Sequence, residues 1–511
     1  MSEPPFDFDS VLEESQQSAT DSGGRMPMDD LLGDGLRKFV EEDDPVLALR
    51  LWMKLFDAHA MSGSKKIKLY LSQYVGLIDQ LVSDQLNIIL HSDKFQSLES
   101  RWRGVEKLIA TASDYGNIKV RMLDVSWREV TVDIDRAAEF DQSVLFNLIY
   151  SQEFGIAGGE PFGVLLGDYE VAHRPSKRHP YNDINTLQGL AQIAAASFAP
   201  FICAAAPELF GLDSFESLAN PLDFDNIFRQ QEYTSWRSLR DIGDTSFLAI
   251  TMPRILMRKP YKNRVLSGSG LLFNENVSYK DSSRYLWGNA CYAIGVVLLR
   301  EFGDVGWFSH IRGAPRDHAG GGLVMDFPCI DHDTDSSGVA QKILTQMIVT
   351  DTKERMLSEH GFMSLCDCYD TPFAAFLNCP SLHRPKKYST KAATANARLA
   401  AMLQQVLCAS RFAHYIKVMV RDRIGAFTTA VDCERMLQTW LNTYVTGRED
   451  FDWDAMSRYP LQSARVQVRE IPGKPGSFNS IIHLKPQYIV DQLVSELKLT
   501  TELGQSGFGS V

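Results

Sequence analysis

In the first third of the chain, apolar residues recur at helical spacing. Leu71, Val75, Ile78, Val82, Leu86 and Ile89 step by four, three, four, four and three. Phe95, Leu98, Trp102, Val105 and Ile109 step by three, four, three and four. The polar HSD at 91–93 separates the two rows, which predicts an antiparallel helical hairpin within 65–112. The rows have two uses: to close a core of their own, or to meet a partner's helices. After the hairpin the period changes. Ile118, Val120 and Met122 alternate with Lys119, Arg121 and Leu123, as in a strand, and 162–166 and 247–252 are short apolar runs. Helical stretches are expected at 140–150, 184–198 and 285–301. Strands alternating with helices predict an α/β domain whose sheet is covered on its faces.

The most apolar stretch, 190–206, is interrupted by Gln192, Ser197 and Pro200. A membrane span needs about 20 apolar residues. This stretch instead predicts a buried helix ended by Pro200 and then a buried strand. In the last third, one long helix is expected over 395–423, stopped by Gly425. A second is expected over 431–446, with Cys433, Leu437, Trp440, Leu441 and Tyr444 on one face. A β-hairpin follows. Val466 and Val468 alternate with Arg465, Gln467 and Arg469, IPGKPGS at 471–477 turns, and Phe478, Ser480, Ile482 and Leu484 alternate in reply. Residues 488–499 read as a third strand or a helix, with the strand preferred. No internal repeat of fixed period is present.

Composition sharpens this. Of 511 residues, 44% are hydrophobic and 23% charged, enough to bury real cores. The net charge is −12, and residues 1–45 hold 13 acidic residues against 3 basic ones, so the body is close to neutral. No overall phosphate-neutralising surface is expected, hence no nucleic-acid partner. The opening MSEPPFDFDS lacks the basic start and apolar core of a signal peptide. The eight cysteines, several of them in apolar runs, fit free thiols in a reducing compartment.

Residues 1–30 read as a flexible acidic arm with one apolar cluster, Phe6, Phe8, Val11 and Leu12. That cluster is either a chance grouping or a docking peptide that folds as a short helix in a partner's groove. A second amphipathic helix, with Leu31, Leu32, Leu36, Phe39 and Val40, is capped by Asp29 or Asp30.

The search for chemistry yields no set. Gly473-Lys474-Pro475 lacks the Ser or Thr and the first Gly of a P-loop and reads as a turn. The glycine run after His318 has no nucleophile elbow to serve. Asp331, His332 and Asp333 lie among turn residues without a second ligand cluster, and Cys366-x-Cys368 lacks a second pair. Ser267–Gly270 is a lone GxG, and His414 reads as a structural histidine on a helix. No catalytic residue, cofactor or metal is expected.

A series of stretches carries a resemblance. These are FQSLESRWRG at 95–104, GGEPFGVLLGDY at 158–169, APFI at 199–202 and LFG at 209–211. PRILMRKPY at 253–261, YLWGN at 285–289, RFAHYIK at 411–417 and RIG at 423–425 complete it. In this order, over about residues 31–500, the chain resembles the large subunit of the type VI secretion contractile sheath, the TssC or VipB family.

The resemblance implies a mixed α/β (α+β) sheath-like fold in four parts. An acidic arm at 1–45 precedes a helical hairpin region at 46–115 that packs with the small sheath subunit. A central α/β domain at 116–390 and a C-terminal domain at 391–511, with two long helices and a strand hairpin, complete it. It implies a non-enzymatic subunit that pairs with the small subunit TssB or VipA and polymerises with itself around an Hcp inner tube on a baseplate. Contraction would drive the tube outward, and the ClpV ATPase would recycle the sheath. The setting would be the cytoplasm of a Gram-negative bacterium, with the sheath anchored through the baseplate to the envelope complex and no membrane insertion of its own. Phe8, Val11 and Leu12 stand where the family's ClpV-docking helix lies. Val466, Val468, Ile482 and Leu484 match strands shared between subunits, which leads to the expectation that the hairpin offers an open edge. The rival readings are the sheath of another contractile machine such as a phage tail, a hydrolase using the His318 loop, and a scaffold that never polymerises.

Overall fold

The computed structural model describes residues 34–55, 64–154, 156, 158–262, 264–265, 271–278, 282–315, 320–330, 343–368, 371–421, 430–445, 458–470, 478–486 and 497–503. The chain divides into two compact units, residues 1–99 with 260–285, and 100–259 with 286–511.

In the first unit, α1 (Asp34–Val40) and α2 (Pro45–Leu55) precede α3 (Ser64–Leu90). Pro45 suits the first turn of α2, and the Asp44 carboxylate accepts the Val46 N–H at 2.9 Å. Trp52 is buried, edge-on to Tyr74. The returning segment 260–278 carries a short ladder between 264–265 and 272–273. It is fastened to the end of α3, where Asn276 N–H donates to Asn87 Oδ1 at 2.8 Å and Glu275 stands 3.3 Å from His91 Nε2. After a break at 91–92, α4 (Asp93–Ser113) begins, so the two predicted helices and the break between them are present.

The second unit is built on a six-stranded sheet. Its strands are β1 (Leu165–Val171), β2 (Phe201–Ala205), β3 (Leu248–Met252), β4 (Leu323–Val324), β5 (Phe362–Asp367) and β6 (Ala374–Phe376). Their order is β1-β2-β3-β5-β6-β4; the first four run parallel, and β6 is antiparallel to both β5 and β4. The period of two sends side chains to two cores. Phe201, Cys203, Leu248, Ile250, Met252, Phe362 and Cys366 face one, beside α6 (Asp183–Ser197). Ile202, Ala249, Met363 and Leu365 face the other, beside α7 (Cys291–Val305). Burial on both faces is why these strands read as apolar runs.

α4 packs beside α7 through small residues. A Cβ at Gly104 would fall 2.5 Å from the Tyr292 ring, one at Gly295 would fall 2.8 Å from Leu108, and one at Gly303 would fall 2.4 Å from the ring of Tyr115. The buried positions of α4 are Ser100, Gly104 and Leu108. Leu98, Trp102 and Ile109, from the row expected to form its apolar face, are exposed.

Other expectations need correction. Residues 118–123 form no strand; Lys119 and Arg121 instead bind Glu160 and Glu153 and leave Val120 and Met122 exposed. The helix of 140–150 is broken into a 3-10 turn, a short helix and a π turn over Asn147–Ser151. The stretch 285–301 opens as a strand at Leu286–Gly288, and the helix starts only at Cys291. The helix of 395–423 is two, α8 (Lys391–Ala400) and α9 (Leu403–Arg421). They part because the backbone at Ala401 and Leu403 bonds Ser381 and Cys379 instead of continuing the helix. The 184–198 helix and the strand after Pro200 stand as expected.

A third core joins α9 and α10 (Ala430–Asn442) to a C-terminal antiparallel sheet of β7 (Leu461–Glu470), β8 (Phe478–Pro486) and β9 (Leu497–Leu503). The hairpin therefore exists, with Val466 opposite Ile482, and β9 pairs with β8; of the expected third element at 488–499 only 497–499 are among the described residues, and they belong to β9.

Candidate assembly surfaces

The C-terminal sheet shows how its candidate residues are used. Val466, Val468, Ile482 and Leu484 are all buried, against Phe412 and Ile416 of α9 and Leu437 and Leu441 of α10. Their side chains build a core, so of these four residues only the strand backbone is left to meet another chain. On β7 that backbone is already engaged. Val466 N–H donates to Gln438 Oε1 at 3.0 Å, and Val468 N–H donates to Glu434 Oε2 at 3.0 Å. Gln438 Nε2 donates to the Ala464 carbonyl at 2.9 Å, and Leu461 N–H reaches the Tyr444 carbonyl at 3.3 Å. The open edge expected of the hairpin is thus not on β7, where α10 covers it.

A second kind of surface is apolar. On α3, Val75, Ile78 and Val82 are 55%, 57% and 40% exposed, although the sequence pattern puts them on one helical face. Leu69, Leu77, Leu81 and Ile88 of the same helix are exposed as well. On α4 the exposed positions include Trp102 and Ile109. Rows of this kind lose the free energy of burial unless something else covers them.

Several polar groups in the interior are committed to structure. Arg101 Nε lies 3.3 Å from Asp168, whose carboxyl is also hydrogen-bonded by Tyr292 and Asn289. Desolvation still raises the Asp168 pKa, against the lowering by Arg101. Glu170 binds Arg254 through both guanidinium arms at 2.5 Å. Four stretches that carry the resemblance, RWRG, LLGDY, PRIL and YLWGN, thus meet around β1.

His414 Nε2 lies 3.0 Å from the Ser197 carbonyl, and burial pushes its pKa down to about 3, so it is neutral and joins α9 to the end of α6. Burial raises the Cys366 and Cys408 thiols to about 12, which leaves them protonated and poorly nucleophilic. None of the eight cysteines is paired in a disulfide. Among the described residues no group of three His, Cys, Asp or Glu could hold a metal ion, and no helix is long and apolar enough to cross a membrane. Phe8, Val11, Leu12, His318, Asp331–Asp333, Ser267–Gly270 and Gly473–Pro475 lie outside the described residues.

With the perturbed groups locked inside and apolar rows left outside, the arrangement is that of a protein built for contact with other chains. Comparison with known proteins makes this specific. Residues 72–383 match the EvpB/VC_A0108 tail sheath N-terminal domain, and residues 392–503 match the tail sheath gpW/gp25-like domain of the same family. The chain belongs to the type VI secretion tail sheath family, as a large-subunit member, and its role is that of a structural subunit of the contractile sheath. A curated relative, the type VI secretion system sheath protein TssC1 of Pseudomonas aeruginosa, is 38% identical over 432 residues, 84% of this chain and 85% of that one. A solved structure of the anti-feeding prophage baseplate covers 75% of this chain and 83% of its own at 10% identity, with a TM-score of 0.33. That likeness is too slight to carry any argument.

Proposed function

We propose that this chain pairs with a smaller sheath subunit, TssB or VipA, and that the pairs polymerise around an Hcp inner tube on a baseplate. The single observation that carries the pairing is the exposed apolar row Val75, Ile78 and Val82 on α3, which helices of a small subunit would cover. Work is then mechanical: extended and contracted tubes are two packings of one lattice, and firing is relaxation to the lower one. Strand exchange through the C-terminal sheet keeps neighbours joined while they rotate, because ladder hydrogen bonds persist as linkers flex. The parts are an arm at 1–45, a helical region at 46–115 for the small subunit, a central domain at 116–390 and a C-terminal domain at 391–511. The assembly is cytoplasmic, is anchored to the envelope complex through the baseplate, and catalyses no reaction.

Co-production with the small subunit and negative-stain microscopy tests this. Long hollow tubes that need both proteins are expected; a discrete particle under all conditions refutes the reading. Recycling by ClpV would use Phe8, Val11 and Leu12. Changing Val11 and Leu12 to Asp then weakens ClpV capture and leaves tubes intact, and undiminished capture removes the assignment.

A further inference from the structure

We propose that Glu434 and Gln438 determine which edge of the C-terminal sheet can take up a strand from another polypeptide, by holding the outer edge of β7 closed. The proposal rests on strand exchange as the joining mode, and its test is read on this chain alone, so the two can fail separately.

A strand edge with free N–H and C=O groups is a template for any passing strand. The outer edge of β7 presents Ala464 C=O, Val466 N–H and Val468 N–H, and α10 meets all three. The geometry is commensurate. Four residues of helix advance about 6 Å, and two residues of strand advance about 6.7 Å. Glu434 and Gln438, four apart, therefore meet Val468 and Val466, two apart, with helix and strand running in opposite directions.

Gln438 imitates a peptide unit. Its Oε1 accepts from Val466 while its Nε2 donates to Ala464, as the backbone of a neighbouring strand would. A second donation from Nε2, to Asn442 Oδ1 at 2.8 Å, holds the amide in that orientation. The other face of α10 is anchored by Cys433, Leu437 and Leu441, all fully buried, so the cap cannot swing away without uncovering them. A strand from a neighbouring subunit must then add elsewhere than on β7. The sheet grows in one direction, and two copies are prevented from pairing edge to edge through β7.

The test uses the full-length chain. Alanine is a strong helix former, so Glu434→Ala with Gln438→Ala keeps α10 while removing the cap. Hydrogen exchange at the Val466 and Val468 amides should speed up about tenfold. Sedimentation velocity should reveal concentration-dependent self-association absent from the unaltered chain. Glu434→Gln, which keeps the acceptor, should behave as the original. Leu437→Ala loosens the core without touching the cap, and should lower the melting temperature without self-association. If the double variant does not fold, Glu434→Ala alone frees Val468 and is read the same way. The proposal is overturned if exchange at these amides is unchanged, or if it rises while the sedimentation profile stays as it was.

Discussion

Gly104 lies against the ring of Tyr292, with the place where its Cβ would be 2.5–2.6 Å from three ring carbons. The contact sets the approach of α4 to α7, and Gly303 against Tyr115 repeats it with the roles of the two segments exchanged. Tyr115 is held there by a 2.9 Å hydrogen bond to Asp304. Gly104→Ala puts a methyl group where the ring stands. It should cost about 1–3 kcal/mol, as overpacking does, and lower the melting temperature of the chain. Pairing it with Tyr292→Leu should give a smaller loss than the two single changes add to; strict additivity in that cycle would show that the contact does not limit the packing.

This pair also marks where the sequence stops being readable. Periodicity counts large apolar residues, so it found α3 and α4 and the break between them, yet it did not show that α4 packs on the chain through Ser100, Gly104 and Leu108. Gly104 is buried because it is small enough to admit the Tyr292 ring, a property invisible to hydropathy. The alternation of 118–123 looked like a strand, but Lys119 and Arg121 found carboxylates and no ladder formed. Residues 201–205 and 248–252 were legible because both sheet faces are covered. β4 and β6, two and three residues long, are defined by distant partners rather than by local pattern. Ser126 and Glu129 form a capping box that starts α5 (Trp127–Arg136), and that S-x-x-E spacing could have been read directly. At the candidate site Val466 and Val468 were visible as alternation. Glu434 and Gln438 were not, because a polar helix face is indistinguishable from a solvated one until the strand beside it is seen.

Glu301 should make stability depend on pH. It is buried on α7, accepts the His310 N–H at 3.1 Å, and has neighbours Arg300 and Asp304. Desolvation raises its pKa to about 7, above the ordinary 4.5. A carboxyl raised by folding is favoured while protonated, so its contribution is complete below about 4.5 and is lost as pH rises toward 7. Glu301→Gln keeps an acceptor for His310 and cannot ionise. Denaturant unfolding at pH 5 and pH 7.5 should show a smaller pH difference in this variant, by up to about 2 kcal/mol. Equal slopes in the two proteins would contradict the assignment.

Asp168 should respond to the loss of Arg101 in a pH-dependent way. Arg101→Ala removes the cation and leaves a carboxylate that burial already disfavours. The defect should be small in acid, where Asp168 is protonated, and grow as pH rises through the carboxylate range. Because the Arg101 side chain is 59% exposed, the effect at neutral pH should stay below about 1 kcal/mol. Adding Asp168→Asn should remove the pH-dependent part; a defect that persists unchanged at every pH would point to lost packing by the Arg101 stem instead.

The exposed row on α3 separates a partner surface from an unused one. Val75→Asp with Ile78→Asp places charge on side chains that the chain itself leaves more than half exposed. Surface changes away from buried groups usually alter stability by less than about 0.5 kcal/mol, so the melting temperature of the chain should stay nearly constant. Association is another matter. If helices of the small sheath subunit cover this row, two carboxylates would be buried without partners, and co-purification of the small subunit should fall at least several-fold. Trp102→Glu on α4 asks the same question at an independent position. Full retention of the small subunit by both variants, with unchanged stability, would mean that the apolar rows face something else in the sheath.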